Sequence, residues 1–246
     1  MLTPIVQSFR FISLLLGLLL SGCVLAPAQK TENAALPQQV DEGAERQWWA
    51  ARYKIYWPEG KAPDWAADHL LAHAVAKPVL EQHAEVIRLW RFHRRAGPDG
   101  AGHQFSFIFY ADAAAAKQVL AAFEQHPVTE KMLAAGFVQR LRLDSHDYPE
   151  RWRVAATSDP NWTAGMQRNW PVFIMGVSAL WLGLIDDFAS GGVPPESAAG
   201  LLEYYRGVEA QVTQLWRDQG LHALFHHLSA VFGYEPLPIG EQEVRF

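Results

Sequence analysis

The sequence predicts an α+β domain in which an antiparallel sheet of about four strands is packed by helices, followed by a mostly helical C-terminal third. Three observations carry this. Residues 103–112, HQFSFIFYAD, place Phe105, Phe107 and Phe109 on one face of an extended chain. Residues 113–125, AAAAKQVLAAFEQ, follow as a strong helix. Beyond residue 163, long apolar and amphipathic segments at helical period replace the alternating ones.

The elements follow in order. Residues 43–54, GAERQWWAARYK, read as a helix. Trp57-Pro58-Glu59-Gly60 is a turn, and Pro63-Asp64 opens a helix to about residue 75, stopped by Lys77-Pro78. Residues 85–95, EVIRLWRFHRR, read as a strand, and Asp99-Gly100 with Ala101-Gly102 mark the turn into 103–112. Asp112 is placed to cap the helix over 113–125, His126-Pro127 ends it, and a short helix over 128–135 stops at Gly136. FVQRLRLD, residues 137–144, alternates as a strand, and RWRVAAT, residues 151–157, reads as another. Residues 163–189 contain PVFIMGVSALWLGLI and read as the central buried helix of the domain, with Pro171 either a kink or a fresh start. After Gly191-Gly192-Val193-Pro194-Pro195, residues 196–218 form an amphipathic helix. Residues 221–232 form the last helix, ended by Gly233.

The N-terminus carries a different signal. MLTPIVQSFR is followed by the apolar stretch FISLLLGLLL and then by Ser21-Gly22-Cys23. A positive flank, a short apolar stretch and small residues at its end make a secretory signal, and the stretch is shorter than the ~20 residues a membrane span needs. Leu20-Ser21-Gly22-Cys23 resembles the lipobox of bacterial lipoproteins. The resemblance covers about the first 24 residues, and it implies cleavage before Cys23 and acylation of that residue. Val24, where an Asp would favour inner-membrane retention, implies an outer-membrane anchor facing the periplasm in a cell that has one. Residues 1–22 are then the signal, 23–44 the lipidated cysteine and a Pro-, Gln- and Ala-rich tether, and 45–246 a single domain.

Composition limits the function. The chain has 246 residues, one Cys, ten Trp and thirteen Phe, and a formal net charge of -5; losing Arg10 with the signal lowers this by one, to -6. That balance speaks against nucleic acid as a partner. With Cys23 acylated, no thiol remains for a nucleophile, a disulfide or a sulfur-ligated metal. No glycine-rich phosphate loop or G-x-S-x-G elbow is present, so no catalytic residue is singled out.

Three constellations remain. His69 and His73 are four apart, as are His222 and His226, and such pairs on helices chelate a divalent metal when two helices bring them together. Arg91, Arg94, Arg140 and Arg142 lie on two strands and would bind an anion if they share a face. Trp48, Trp49, Tyr53, Tyr56 and Trp57 follow the tether and serve either the core or a binding surface. His103 and His146-Asp147 are single-residue candidates at strand ends. The leading expectation is an anchored envelope domain that binds or scaffolds a protein, an apolar small molecule between sheet and helices, or an envelope polymer. The alternatives are a metal-dependent enzyme using the His pairs and an enzyme holding an anionic substrate on the arginine face.

Overall fold

A computed structural model describes residues 46–145, 152–239 and 242–244. The segments expected to be signal and tether, Cys23 and the His146-Asp147 dipeptide lie outside the described residues. Val40–Phe246 forms one compact unit.

Four strands make the main sheet: β1 (Arg46–Ile55), β2 (Leu89–Ala96), β3 (His103–Asp112) and β4 (Val138–Leu143). Their order is β2-β3-β1-β4, and all pairings are antiparallel. The expected α+β class is therefore correct, but the strands are not the four expected. Residues 46–55 are a strand and not a helix. Within them Trp49, Ala51, Tyr53 and Ile55 point into the core while Arg52 and Lys54 point out. The helix propensity of Ala and Arg is a weak preference, and aromatic pairing across β3 outweighs it. The described part of the segment expected as a strand over 151–157, residues 152–157, is likewise not a strand: Val154–Thr157 is a 3-10 turn. Trp48 Nε1 donates to the carbonyls of Arg153 (3.2 Å) and Val154 (3.0 Å), so this segment folds back over the sheet instead of extending it.

Helices cover the inner face. α1 (Ala66–Leu70), a π-helical turn (Leu71–Ala76) and α2 (Lys77–Gln82) run on without the break expected at Lys77-Pro78. Pro78 sits in the first turn of α2, just past the widened π turn, where its missing N–H is tolerated. α3 (Ala113–Glu124) starts as expected, with Asp112 Oδ1 accepting from Ala115 N at 2.8 Å. α4 (Pro127–Ala134) ends at Gly136, whose φ of +76° suits a residue without a Cβ.

Two long helices complete the domain: α5 (Ala164–Ala189) and α6 (Ala198–Gly220). α6 continues through a π segment (Leu221–His226) into α7 (His227–Val231). A two-stranded ladder, β5 (Leu237–Ile239) with β6 (Gln242–Val244), follows. α5 is not the central buried helix. It crosses the open edge of β2, where Ser178 Oγ accepts from Phe92 N at 3.1 Å and donates to Ile174 O. An edge strand left bare is an aggregation hazard, and α5 closes this one. The N-terminal half of α5 packs Val172 and Met175 on the outer face beside Trp48, Leu89 and Tyr110; its C-terminal half sends Leu182, Ile185 and Ala189 into the inner core. A helix used along one stripe leaves the rest uncovered. By length and composition α5 is apolar enough to cross a membrane, with mean hydropathy 1.7, yet only 22% of that window is buried.

Candidate functional site

The concavity that α5 and α6 leave between them is the best-formed candidate site. It is a cleft of about 680 Å³, within the usual range for small-molecule sites. α5 contributes Ile174, Val177, Leu180, Trp181 and Leu184; α6 contributes Val212, Leu215 and Trp216; the π segment after α6 adds Leu224. The amphipathic spacing of α6 turns Val208 and Val212 inward, while Val177, Leu180 and Trp216, 44%, 42% and 52% exposed, form an apolar rim. Gly220 lies under the Trp216 ring, and a Cβ there would come within 2.8 Å of it.

Polar groups converge on one end of this cleft, where α1 meets β2. Asp68 on α1 and His103 on β3 are completely buried. His103 Nε2 donates to Asp68 Oδ2 at 2.7 Å, and Arg94 Nε donates to Asp68 Oδ1 at 3.2 Å. The Arg94 guanidinium is held between two indoles, 4.9 Å from the Trp65 ring and 4.5 Å from that of Trp181. Aromatic faces on both sides hold its plane in place. Nε is the only nitrogen of Arg94 engaged in a hydrogen bond among the described residues, which leaves both Nη groups as donors toward the cleft.

His69 stands beside it. The residue is 2% exposed, its Nδ1 lies 2.9 Å from Trp65 O, and its ring meets the edge of Trp181. A carbonyl only accepts, so Nδ1 carries the proton. Burial above all holds the pKa of His69 down at about 4, with the Arg94 charge adding to that, so the ring is neutral near pH 7. Its Nε2 is then a bare acceptor, buried and without a hydrogen-bond partner. An unsatisfied buried acceptor costs roughly 1–3 kcal/mol. Glu209 also lines the cleft and accepts from Thr213 Oγ1 at 2.8 Å. The polar end therefore offers two guanidinium donors and two acceptors. Its charge is not positive, since Asp68 sits behind Arg94 and Glu209 adds a second carboxylate.

The chain matches none of the protein-family models, curated proteins or solved structures with which it was compared.

The residues singled out from sequence separate in space. His69 and His73 share a helix, but His73 turns to other partners. Its Nε2 donates to Asp186 (2.9 Å), and its Nδ1 lies 2.7 Å from the hydroxyl of Tyr205. Lys77 also pairs with Asp186, so this cluster ties α5 and α6 to the first helical layer. The Lys77 and His73 hydrogen bonds, in that order, hold the Asp186 carboxyl below the usual range. His222 and His226 stack on each other with centroids 5.2 Å apart, beside His227 and Tyr234. Among the described residues no group of three or more His, Cys, Asp or Glu is placed to hold a metal, so the two pairs do not form a four-ligand site.

The expected arginine set also divides. Residues 91 and 94 are an odd number apart on β2 and point to opposite faces. Arg91 bonds Thr157 on the outer side, and Arg94 enters the cleft on the inner side. Arg140 and Arg142 share the outer face with Arg52 and Lys54. Trp48, Trp49 and Tyr53 are core residues. Sequence reasoning missed the convergence of Trp65, Asp68, Arg94 and Trp181; these come from three elements up to 116 positions apart, counting from Trp65 to Trp181. The nearest available signal was a buried-type helix carrying adjacent Asp68 and His69.

Proposed function

We propose that this chain is a lipid-anchored envelope domain that binds a neutral single-chain amphiphile in the cleft between α5 and α6. The observation that carries the reading is an apolar cleft of about 680 Å³ ending at Arg94 and at the unpartnered Nε2 of His69. The apolar walls suit an acyl or alkyl chain. Each methylene removed from water contributes about 0.8 kcal/mol, so a chain of about ten offsets the several kcal/mol lost on immobilising a ligand. The head group needs a carbonyl or ether oxygen for the Arg94 Nη donors and a hydroxyl or N–H for His69 Nε2. A carboxylate head is disfavoured because Glu209 lines the same cleft and Asp68 already offsets Arg94. A monoacylglycerol has the required pattern. Acylation at Cys23 would keep the domain beside the bilayer in which such molecules reside.

Trp65, Trp181 and Trp216 line the cleft and provide the readout. A monoacylglycerol brominated on its chain, titrated into the full chain held in nanodiscs of a diacyl phosphatidylcholine, is expected to quench tryptophan fluorescence saturably at micromolar concentration. The matching brominated fatty acid is expected to bind about tenfold more weakly. Arg94→Gln should weaken the monoacylglycerol by ~10-fold or more, the effect of losing hydrogen bonds from a charged donor. Val177→Trp, a change on the exposed rim, should block the cleft. Quenching that never saturates, or that ignores both substitutions, would refute the reading.

A further inference from the structure

The outer face of the sheet carries a feature that the cleft does not use. Across β1 and β4, Arg52 stands opposite Arg142 and Lys54 opposite Arg140. Like charges directly opposite in a ladder are destabilising, and here two such pairs are adjacent. The register shifts between Lys54 and Ile55, a β-bulge of the kind that re-aims neighbouring side chains. On the same face β2 adds Arg91, His93 and Arg95. In a chain with formal net charge -5, this concentration of cations is local.

Compensation is incomplete. Arg52 forms an ion pair with Asp144 through both Nη atoms, and Arg95 pairs with Asp99. Among the described residues the Lys54 ammonium finds only the carbonyl of Gly100, at 3.3 Å. Arg140 and Arg142 are exposed and, among the described residues, make no ion pair or hydrogen bond. The four cations of β1 and β4 line a pocket of about 190 Å³ together with Gln104 and with Gly100 and Ala101 of the β2–β3 turn. Among the described residues, one carboxylate, that of Asp144, pairs with any of these four cations. The positive field extends to His93, whose pKa is lowered first by burial and then by Arg91, Arg95 and Arg52.

We infer that Arg52, Lys54, Arg140 and Arg142 form a binding site for a phosphate or diphosphate group. Its volume of about 190 Å³ accommodates a small oxyanion. Two forked guanidiniums and an ammonium without carboxylate partners among the described residues match the several acceptor oxygens and multiple charge of such a group. The same chemistry occurs in free diphosphate and in the head group of a phosphorylated lipid. The site does not depend on the cleft reading, since it lies on the opposite face of the sheet.

The test uses the full chain in nonionic detergent. Diphosphate, followed by isothermal titration and by thermal unfolding, is expected to bind and to raise the melting temperature. Inorganic phosphate should bind more weakly, and added NaCl should weaken both. Mixed micelles of phosphatidic acid against phosphatidylcholine test the lipid source. Arg140→Gln combined with Arg142→Gln removes two exposed and unpaired charges, so the variant should fold with stability equal to or above that of the parent. It should lose at least tenfold in affinity for whichever phosphate source binds, while Val177→Trp should leave that affinity unchanged. Diphosphate or phosphatidate binding that disappears in the double variant supports the site and identifies the source. Failure of both ligands, or equal binding by parent and double variant, overturns it.

Discussion

At the scale of single residues, His69 links the cleft to pH. Its folded pKa of about 4 lies below the ordinary histidine value of 6.5, so between those values the unfolded chain binds more protons. Stability from this group is therefore complete above about pH 6.5 and lost as pH falls toward 4. His69→Asn retains a donor for Trp65 O and does not titrate. Relative to that variant, the parent should lose on the order of 2–3 kcal/mol between pH 7 and pH 4, read from urea midpoints at each pH. Equal slopes for the two proteins would show that the imidazole is not buried in its neutral form. Such a residue is half legible in sequence. The pair His69 and His73 is visible as a helical spacing, but the spacing suggests chelation. The fold assigns the two rings to unlike surroundings: one faces the indole of Trp181, the other a tyrosine and a carboxylate.

Among the elements, α5 is where burial and hydrophobicity diverge most. Its apolar run suggests a core helix, and periodicity alone does not say how many sides of a helix are covered. The fold covers one stripe. Phe173 is 46% exposed whereas Ile185 is fully buried. Phe173→Gln should accordingly change the unfolding free energy by no more than about 0.5 kcal/mol, and Ile185→Ala should cost about 2–5 kcal/mol. Denaturant melts of the two variants measure the contrast; a large loss for Phe173→Gln would mean that the exposed side packs against something. The shorter elements were easier to read. Asp112, Gly136 and the Phe105-Phe107-Phe109 alternation each combine a local chemical signal with a local outcome. β1 was missed because its decisive interactions are with β3 and β4, more than fifty and eighty residues away respectively.

At the scale of the whole molecule, the proposed anchor and the domain are tested separately. If Cys23 carries acyl chains, the mature chain should enter the detergent phase of a Triton X-114 separation, and Cys23→Ser should abolish incorporation of radiolabelled palmitate. An unlabelled parent chain would remove the anchor and leave the cleft untouched. Fold class was legible because alternation and helical period are summed over many residues. The candidate site was not, since Asp68, Arg94, His103 and Trp181 meet only after β2 has been enclosed by α1 and α5. That enclosure has a consequence for how the protein can vary. Along β2, even-numbered Arg94 serves one compartment and odd-numbered Arg91, His93 and Arg95 serve the other. Point substitutions can adjust either compartment separately. Adding or removing a single residue between Leu89 and Arg94 would turn Arg94 out of the cleft while leaving the cations of β1 and β4 in place, so natural length changes in β2 should be rare.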